Sequence, residues 1–169
     1  MIISIIVAIS KNQVIGKNNQ LIWHLPKDMK FFMDTTMNTV VIMGRKNYES
    51  IPQKYRPLKN RKNVIISRNN SYKAKGCVVV NSIDESLKFL NNIKSNEVFV
   101  IGGGEIYKKF LEKGLVDRMY VTHIEEYFDG DTFFPDVNYD NWKSTEILVH
   151  SKDKNNPHDF KIMVYDKLN

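Results

Sequence analysis

The first ten residues, MIISIIVAIS, are an almost unbroken run of Ile and Val. This composition predicts a strand that is covered on both faces, as in the interior of a parallel sheet. The run has no basic residue before it and is much shorter than the roughly 20 residues of a membrane span, so we expect neither a targeting segment nor a transmembrane helix. We therefore expect an α/β fold built around this strand.

Strand-like and helix-like segments alternate along the chain. The predicted strands are residues 2–9, 39–43, 63–67, 77–80, 97–101, 117–124, 143–149 and 159–166. The predicted helices lie near residues 27–36, 45–51, 83–93 and 104–111. The alternation predicts a mostly parallel sheet with helices on both faces, and the last two strands, which have no helix between them, predict an antiparallel edge. Ser82 and Glu85 have the spacing of a capping box at the start of the third helix.

Composition limits the class of protein. The 169 residues are 42% hydrophobic and 26% charged, without repeats or low-complexity linkers, which indicates one globular domain over residues 1–169. The single cysteine and the lack of a Cys/His cluster with metal spacing predict a cytoplasmic protein without a metal. The formal charge of +6 is spread along the chain, so we expect a solvated basic surface that attracts small anions, and no nucleic-acid partner.

One acid interrupts the apolar face of the first predicted helix. The apolar face consists of Leu25, Met29, Phe32, Met33 and Thr36, whose spacing predicts a buried stripe. Asp28 lies on the same face, three residues after Leu25 and four before Phe32. An acid in the first turn of a helix is usually an exposed, favourable charge. If it is buried instead, its pKa is raised and its charge needs a compensating partner.

Two turns between a strand and a helix suit phosphate groups. In VFVIGGGEIYKKF, three glycines precede a helix whose N-terminus can face an anion, although three glycines alone also fit a tight turn. In VVIMGRKNYESI, Arg45 and Lys46 begin a helix after Gly44. A cation there opposes the helix dipole, so we interpret Arg45 as a ligand for a charged group.

Six segments together resemble the dihydrofolate reductase family: IVAISKNQVIGKNNQLIWHLPKD, VVIMGRKNYESIP, RPLKNRKNVIISR, VFVIGGGEIY, YVTHI and GDTFFP. They follow the order of the family over nearly the whole chain. The resemblance implies an eight-stranded mixed sheet and NADPH-dependent reduction of 7,8-dihydrofolate, with hydride transfer to C6 and protonation of N5. It also implies a monomer, antifolate inhibitors as further ligands, and an adenosine-binding subdomain near residues 39–95.

The resemblance also assigns roles to residues. The catalytic positions are Asp28, which binds the pterin, Thr122, which supports it, and Leu21 and Trp23 in a mobile lid over residues 14–24. The substrate-binding positions are Ile6, Val7, Asp28, Met29, Phe32, Ile51, Leu58, Arg61, Ile101, Tyr107 and Thr122. Among these, Phe32, Ile51 and Leu58 are equally suited to the core, and Arg61 matches the arginine that binds the glutamate α-carboxylate of the substrate.

The cofactor-binding positions surround the two glycine turns and the lid. They are Ala8, Ile15, Gly16, Asn19, Gly44, Arg45, Lys46, Asn47, Ser67, Arg68, Gly102, Gly103, Gly104, Glu105, Ile106 and Tyr107. Arg45 and Arg68 match positions that border the adenosine ribose, where a 2′-phosphate requires cations. Three residues depart from the family pattern: Ile22 replaces a common proline, Asn47 replaces a hydroxyl residue, and Glu105 is acidic.

Three other functions remain open at this point. A reductase of a ribosylated pyrimidine in flavin synthesis has a similar fold, but the spacing of Trp23 and Asp28 and the presence of Arg61 favour folate. A basic nucleic-acid-binding protein leaves Asp28 unexplained. A non-catalytic folate or nucleotide carrier would use the same pocket.

Overall fold

Ten strands and four α-helices follow one another in the structure, a computed structural model that describes residues 1–169. The strands are β1 (Ile2–Ile9), β2 (Val14–Gly16), β3 (Val40–Gly44), β4 (Lys62–Ile66), β5 (Val78–Val80), β6 (Glu97–Val100), β7 (Arg118–Ile124), β8 (Thr132–Phe133), β9 (Trp142–His150) and β10 (Phe160–Lys167). The helices are α1 (Pro26–Thr36), α2 (Arg45–Ser50), α3 (Ile83–Leu90) and α4 (Gly104–Glu112), with short 3₁₀ turns at Gln53–Tyr55 and Tyr139–Asn141. Every predicted element is present, whereas β2 and β8 were not predicted.

Eight strands form one mixed sheet in the order β5-β4-β3-β6-β1-β7-β10-β9. Neighbouring strands from β5 to β7 are parallel, and β10 is antiparallel to both β7 and β9. The predicted mostly parallel sheet with an antiparallel C-terminal edge is therefore confirmed. The Ile/Val-rich β1 lies between β6 and β7, and its Ile5 and Ile9 are fully buried.

The two faces of the sheet are packed differently. Successive residues of a strand point to opposite faces, so Ile5 joins the large cluster that includes Phe110 of α4, whereas Ile6 joins a smaller cluster with Met43 and Phe99. Helix α1 lies on the face of Ile6, because its Phe31 and Phe32 pack against the smaller cluster.

The apolar stripe of α1 is only partly buried. Leu25 and Thr36 are buried, but Met29 and Met33 are 45% and 44% exposed. The prediction of a continuous buried stripe is therefore wrong at the two methionines. Their side chains leave apolar surface open to solvent beside Asp28, where a flat apolar ligand can pack.

The start of α3 confirms the Ser82 half of the predicted capping box, while the Glu85 side chain bonds one residue further back than the pattern predicts. The Glu85 N–H group donates to Ser82 Oγ over 3.0 Å, and the Glu85 carboxylate accepts the N–H of Asn81 over 2.8 Å. The helix ends at Leu90, three residues before the predicted end. None of the helices is long and apolar enough to cross a membrane.

Strands β2 and β8 form a separate two-stranded sheet that the sequence did not predict. Val14 pairs with Phe133, and Gly16 pairs with Thr132. Gly130 packs so closely on this sheet that a Cβ atom would lie 2.3 Å from Val14 Cγ1 and 2.8 Å from the carbonyl oxygen of Gly16. The segment before β8 therefore fixes the beginning of the predicted lid.

Candidate active site

Asp28 lies in the first turn of α1 with its carboxyl group against β7. Thr122 Oγ1 donates a hydrogen bond of 2.5 Å to Asp28 Oδ1, and Thr122 is itself only 3% exposed. No cation forms an ion pair with Asp28. Burial raises the pKa of Asp28, as predicted, while the hydrogen bond from Thr122 acts in the opposite direction. The site thus contains a half-buried acid without a counter-charge.

Apolar residues predicted to hold the substrate lie on the same face of the sheet as the helix that carries this acid. Ile6 belongs to the smaller cluster, and Phe32, Ile51, Leu58 and Ile101 pack against it. The structure therefore brings these five predicted positions together on the α1 face of the sheet. For Phe32, Ile51 and Leu58, the core interpretation and the pocket interpretation are compatible, since each side chain is only partly buried.

Two predicted substrate positions lie on the other face of the sheet. Val7 and Tyr107 belong to the large cluster under α4. The Tyr107 hydroxyl donates to the carbonyl oxygen of Ile6 over 2.9 Å, and burial raises its pKa. Because Tyr107 is committed to the backbone of β1, its side chain fixes the strand beneath Asp28 and lies away from the Asp28 carboxyl group.

Arg61 is oriented by its own loop and by the end of α1. Its Nη1 donates to Thr36 Oγ1 over 3.1 Å and its Nε donates to the carbonyl oxygen of Lys59 over 2.9 Å. Burial lowers the pKa of Arg61, and no carboxylate pairs with it. A half-buried guanidinium that faces no acid of the chain is suited to an anionic ligand.

Asn63 positions this loop and was missed by the sequence analysis. Its Nδ2 donates to the carbonyl oxygens of Leu58 and Arg61 over 2.9 and 3.0 Å, and its Oδ1 accepts the Leu58 N–H over 2.9 Å. Asparagine is unfavourable inside a strand. An asparagine inside the apolar segment KNVII could therefore have predicted a buried hydrogen-bonding role at this position.

The two predicted phosphate turns are neighbours. The Gly44 N–H group donates to the carbonyl oxygen of Gly102 over 2.8 Å, and Asn47 Nδ2 donates to the carbonyl oxygen of Ile101 over 3.2 Å. Gly102 has a φ of +117°, which favours glycine. The backbone N–H groups of Gly103, Gly104 and Glu105 have no acceptor within the chain. The start of α4 therefore offers free donors next to the start of α2.

The cations near these turns differ in their partners. Arg45 Nη1 lies 3.3 Å from both carboxylate oxygens of Glu49, one turn along α2. Arg45 therefore also has a stabilising role that its position against the helix dipole did not predict, since it forms an intrahelical ion pair. Lys46 and Arg68 form no ion pair, and Glu105 pairs with Lys109 over 3.6 Å. The hydroxyl of buried Ser67 accepts the N–H of Asn69.

The predicted lid is anchored to the segment before β8. The Asn18 N–H donates to Asp131 Oδ2 over 2.9 Å, which lowers the pKa of Asp131, and Lys17 pairs with Asp129 over 2.5 Å. Asn18 and Asn19 have positive φ angles of 52° and 58°. These anchoring acids were missed because nothing in the local sequence pairs them with the lid.

The two lid residues predicted to be catalytic differ in exposure. Leu21 is largely exposed, whereas Trp23 is buried with Leu25, Ile124 and Phe160. Ala8 and Ile22 pack against the same cluster. Trp23 therefore connects the lid to the core beside β1 and β7, and Leu21 remains free for contact with a ligand.

Comparison with known proteins identifies the family. The family model for dihydrofolate reductase matches residues 2–167. The chain belongs to the dihydrofolate reductase family. It is 40% identical to dihydrofolate reductase from Staphylococcus haemolyticus over 166 residues, 98% of this chain and 96% of that one. It is also 40% identical to the enzyme from Bacillus subtilis over 167 residues, 99% of this chain and 95% of that one.

A solved dihydrofolate reductase supports the same fold. The structure from Enterococcus faecalis, complexed with NADP(H) and RAB-propyl, matches with a TM-score of 0.90 and 30% identity over 99% of this chain and 97% of that one. The family reduces 7,8-dihydrofolate to tetrahydrofolate with NADPH, and the activity and cofactor implied by the six segments are confirmed. The flavin-synthesis, nucleic-acid and carrier alternatives are set aside.

Asp28→Asn should change stability in a pH-dependent way. Because burial raises the pKa of Asp28 in the folded state, its contribution to stability is full below the pKa of the unfolded chain and is lost as the pH rises through the folded pKa. Asparagine never ionises and can still accept the Thr122 hydroxyl. We expect thermal unfolding without ligands to give a higher Tm than wild type at about pH 8, and a gain that shrinks towards about pH 4.

Asp34→Asn is the matched control, because Asp34 is an exposed acid of the same helix that pairs with Lys30. It should show no such gain. A gain in Asp28→Asn that is the same at every pH, or a lower Tm at high pH, would contradict an unfavourably buried charge.

Proposed function

We propose that Asp28 is the acid that binds the pterin of dihydrofolate and that Thr122 holds its carboxylate in place. The observation that carries this proposal is the half-buried, unpaired Asp28 carboxyl group bonded to Thr122 beside exposed Met29. A buried anion is favourable only when an opposite charge compensates it. Protonated substrate supplies that charge, so Asp28 binds the cationic form of the pterin more strongly than the neutral form.

The residues of the two glycine turns fit the phosphate groups of NADPH. The free N–H donors of Gly103, Gly104 and Glu105 lie at the N-terminus of α4, where an anion is favoured. A Cβ at Gly103 would meet no atom within 4 Å, so the backbone there is open to a close approach. Lys46 and Arg68 add cations without acidic partners. NADPH supplies the hydride when it is bound.

The protein residues orient the reactants and exclude water. Arg61 binds the glutamate carboxylate at one end of the substrate and Asp28 binds the pterin at the other, so the ring is fixed in orientation. Leu21 and Trp23 of the lid would face the nicotinamide and exclude water from it, and backbone groups of Ala8 and Ile15 would hold its carboxamide. No second acid lies beside Asp28 to protonate N5, and we assign that proton to a water molecule admitted through the lid.

The remaining expectations follow from this arrangement. The segment 39–95 contains β3, β4, β5, α2 and α3, which make up one end of the sheet, and we propose it as the adenosine-binding subdomain. Antifolate inhibitors would occupy the pocket of Asp28, since a flat, cationic heterocycle can pair with its carboxylate. We further propose a cytoplasmic monomer.

The main test is the activity of Asp28→Asn. An amide cannot stabilise the cationic pterin as a carboxylate does, so we expect a loss in hydride transfer of about 10²-fold at neutral pH. The rate is measured from NADPH absorbance in single turnovers over a range of pH. Asp34→Asn should keep the wild-type rate. Full activity of Asp28→Asn at all pH values would remove Asp28 from the mechanism.

Arg61→Ala should raise KM for dihydrofolate and leave kcat nearly unchanged. The glutamate tail is remote from the reacting carbon, so its contacts are equal in the ground and transition states. A substrate without the α-carboxylate should not distinguish the variant from wild type. Lys62→Ala removes the neighbouring, exposed cation as a control. Equal folate affinity in wild type and Arg61→Ala would show that the carboxylate binds elsewhere.

The double variant Arg45→Ala/Arg68→Ala should lose preference for NADPH over NADH. Hydrogen bonds to a charged group contribute roughly 1.5–3 kcal/mol each, and solvent exposure brings them to the lower end, so we expect about 10²-fold weaker NADPH binding. Dissociation constants for both cofactors are measured at two salt concentrations. Because Glu49 already pairs with Arg45, Glu49→Gln should free the guanidinium and tighten NADPH binding.

The control for this experiment is Lys143→Ala/Lys152→Ala, which removes the same charge from exposed positions in β9 and just after it, outside residues 39–95. It should not change the cofactor preference. An equal loss for NADPH and NADH in the arginine variant would mean that the discriminating cation is elsewhere, with Lys46 the next candidate.

A further inference from the structure

Helix α1, which carries Asp28, begins without a cap of its own. Leu25 occupies the N-cap position and has no side chain that can accept a hydrogen bond, and Pro26 follows it. The first N–H group of the helix belongs to Lys27, next to Asp28. This N–H donates over 3.0 Å to Oδ1 of Asn156, which lies 129 positions further along the chain. A distant asparagine thus replaces the local cap.

Asn156 lies in the connection between β9 and β10, where Asp153 holds it in place. It is 6% exposed, and its backbone N–H donates to Asp153 Oδ1 over 2.7 Å. Its Nδ2 donates to the same carboxylate oxygen over 3.1 Å. Asp153 also accepts the N–H of Asn155 over 2.8 Å and faces His150 Nε2 over 2.7 Å. The amide of Asn156 therefore has its oxygen aimed at α1 and its nitrogen fixed by Asp153.

The same hairpin also positions the partner of Asp28. Strand β10 pairs with β7 in a register that places Ile162 opposite Thr122. One hairpin, β9 to β10, therefore contacts both ends of the hydrogen bond between Thr122 and Asp28: it supports Thr122 through the sheet and the start of α1 through Asn156. A change in the cap would move one end of that bond while the other stays in place.

We propose that Asn156 is a positioning residue for dihydrofolate reduction, which acts by setting the start of α1 so that Asp28 meets Thr122. The proposal rests on the role of Asp28 proposed above. An amide is suited to this place because it caps the helix without adding a second negative charge close to Asp28. A carboxylate in its place would lie beside both Asp28 and Asp153, where like charges repel.

The experiment is a double-mutant cycle of Asn156→Ala and Thr122→Val, measured as the hydride-transfer rate at saturating NADPH and at a temperature well below the Tm of every variant. We expect Asn156→Ala to lower this rate by about tenfold, because small displacements of a positioned group have large effects on rate. In the background of Thr122→Val, where the bond to Asp28 is already absent, the same change should have little further effect. Asn155→Ala, an exposed neighbour, is the matched control.

A second readout reports on Asp28 without catalysis. The pKa of the Asp28 carboxyl group is followed by ¹³C NMR in the ligand-free protein. Since the hydrogen bond from Thr122 opposes the effect of burial, Asn156→Ala should raise this pKa further, and Asn155→Ala should not. If Asn156→Ala does not fold, Asp153→Asn is used instead, because it weakens the hold on Asn156 without changing α1. It should also raise the pKa of Asp28, by a smaller amount.

The outcomes separate this proposal from the proposed function. Full activity of Asp28→Asn would refute the proposed role of Asp28. An inactive Asp28→Asn together with unchanged rate and unchanged Asp28 pKa in Asn156→Ala would overturn the positioning role alone. Additive effects in the cycle would also overturn it, because they would show that Asn156 affects the rate independently of the bond between Asp28 and Thr122.

Discussion

One hydrogen bond, from Thr122 Oγ1 to Asp28 Oδ1, joins helix α1 to strand β7 and fixes the acid of the candidate site. Thr122 has its place because β7 is held between β1 and β10. Asp28 has its place because α1 is packed through Phe31 and Phe32 on the sheet and capped from the far hairpin. Much of the tertiary structure on this face thus serves to bring these two side chains together.

The acid in this bond is suited to ligand binding but lowers the stability of the free protein. A half-buried carboxylate without a cation is unfavourable in the free protein, and the Thr122 hydroxyl offsets only part of that effect. Met29 and Met33 add exposed apolar surface on the same helix. Both features are unfavourable without a ligand and favourable with a cationic, flat one. Binding of substrate would therefore also stabilise the fold, by mass action on the folded state.

The sequence predicted most of what depends on local pattern. Short strand-like segments, of which the Ile/Val run of β1 is the clearest, identified the eight strands of the main sheet, and Ser82 with Glu85 identified the start of α3. Both signals lie within a few residues. Asp28 stood out because its residue type conflicts with its helical face. The six family segments supplied the cofactor and the reaction, which no local pattern states.

The remaining features depend on contacts between distant residues. Three examples are the pairing of β2 with β8, the hydrogen bonds of Asn63 to the Arg61 loop, and the cap that Asn156 provides for α1. In each, no local sequence pattern links the residues that meet. The ion pair of Arg45 with Glu49 joins residues only four positions apart. The sequence nevertheless allows Arg45 either to pair with Glu49 or to bind a ligand, and only the side-chain geometry shows the pair. The exposure of Met29 and Met33 could not be predicted either, since an apolar helix face indicates burial whether a core or a ligand covers it.

The position of β10 has a consequence for synthesis of the chain. This strand follows all the others in sequence, yet it lies between β7 and β9. A ribosome therefore releases residues 39–95 long before residues 160–167, so the β3-β4-β5 end of the sheet can form while β7 still has an unpaired edge. Asn156 emerges almost as late. The nascent protein would thus form the β3-β4-β5 end of the sheet before it gains the Asn156 cap of α1, and the edge of β7 is the surface that a chaperone would need to shield in the interval.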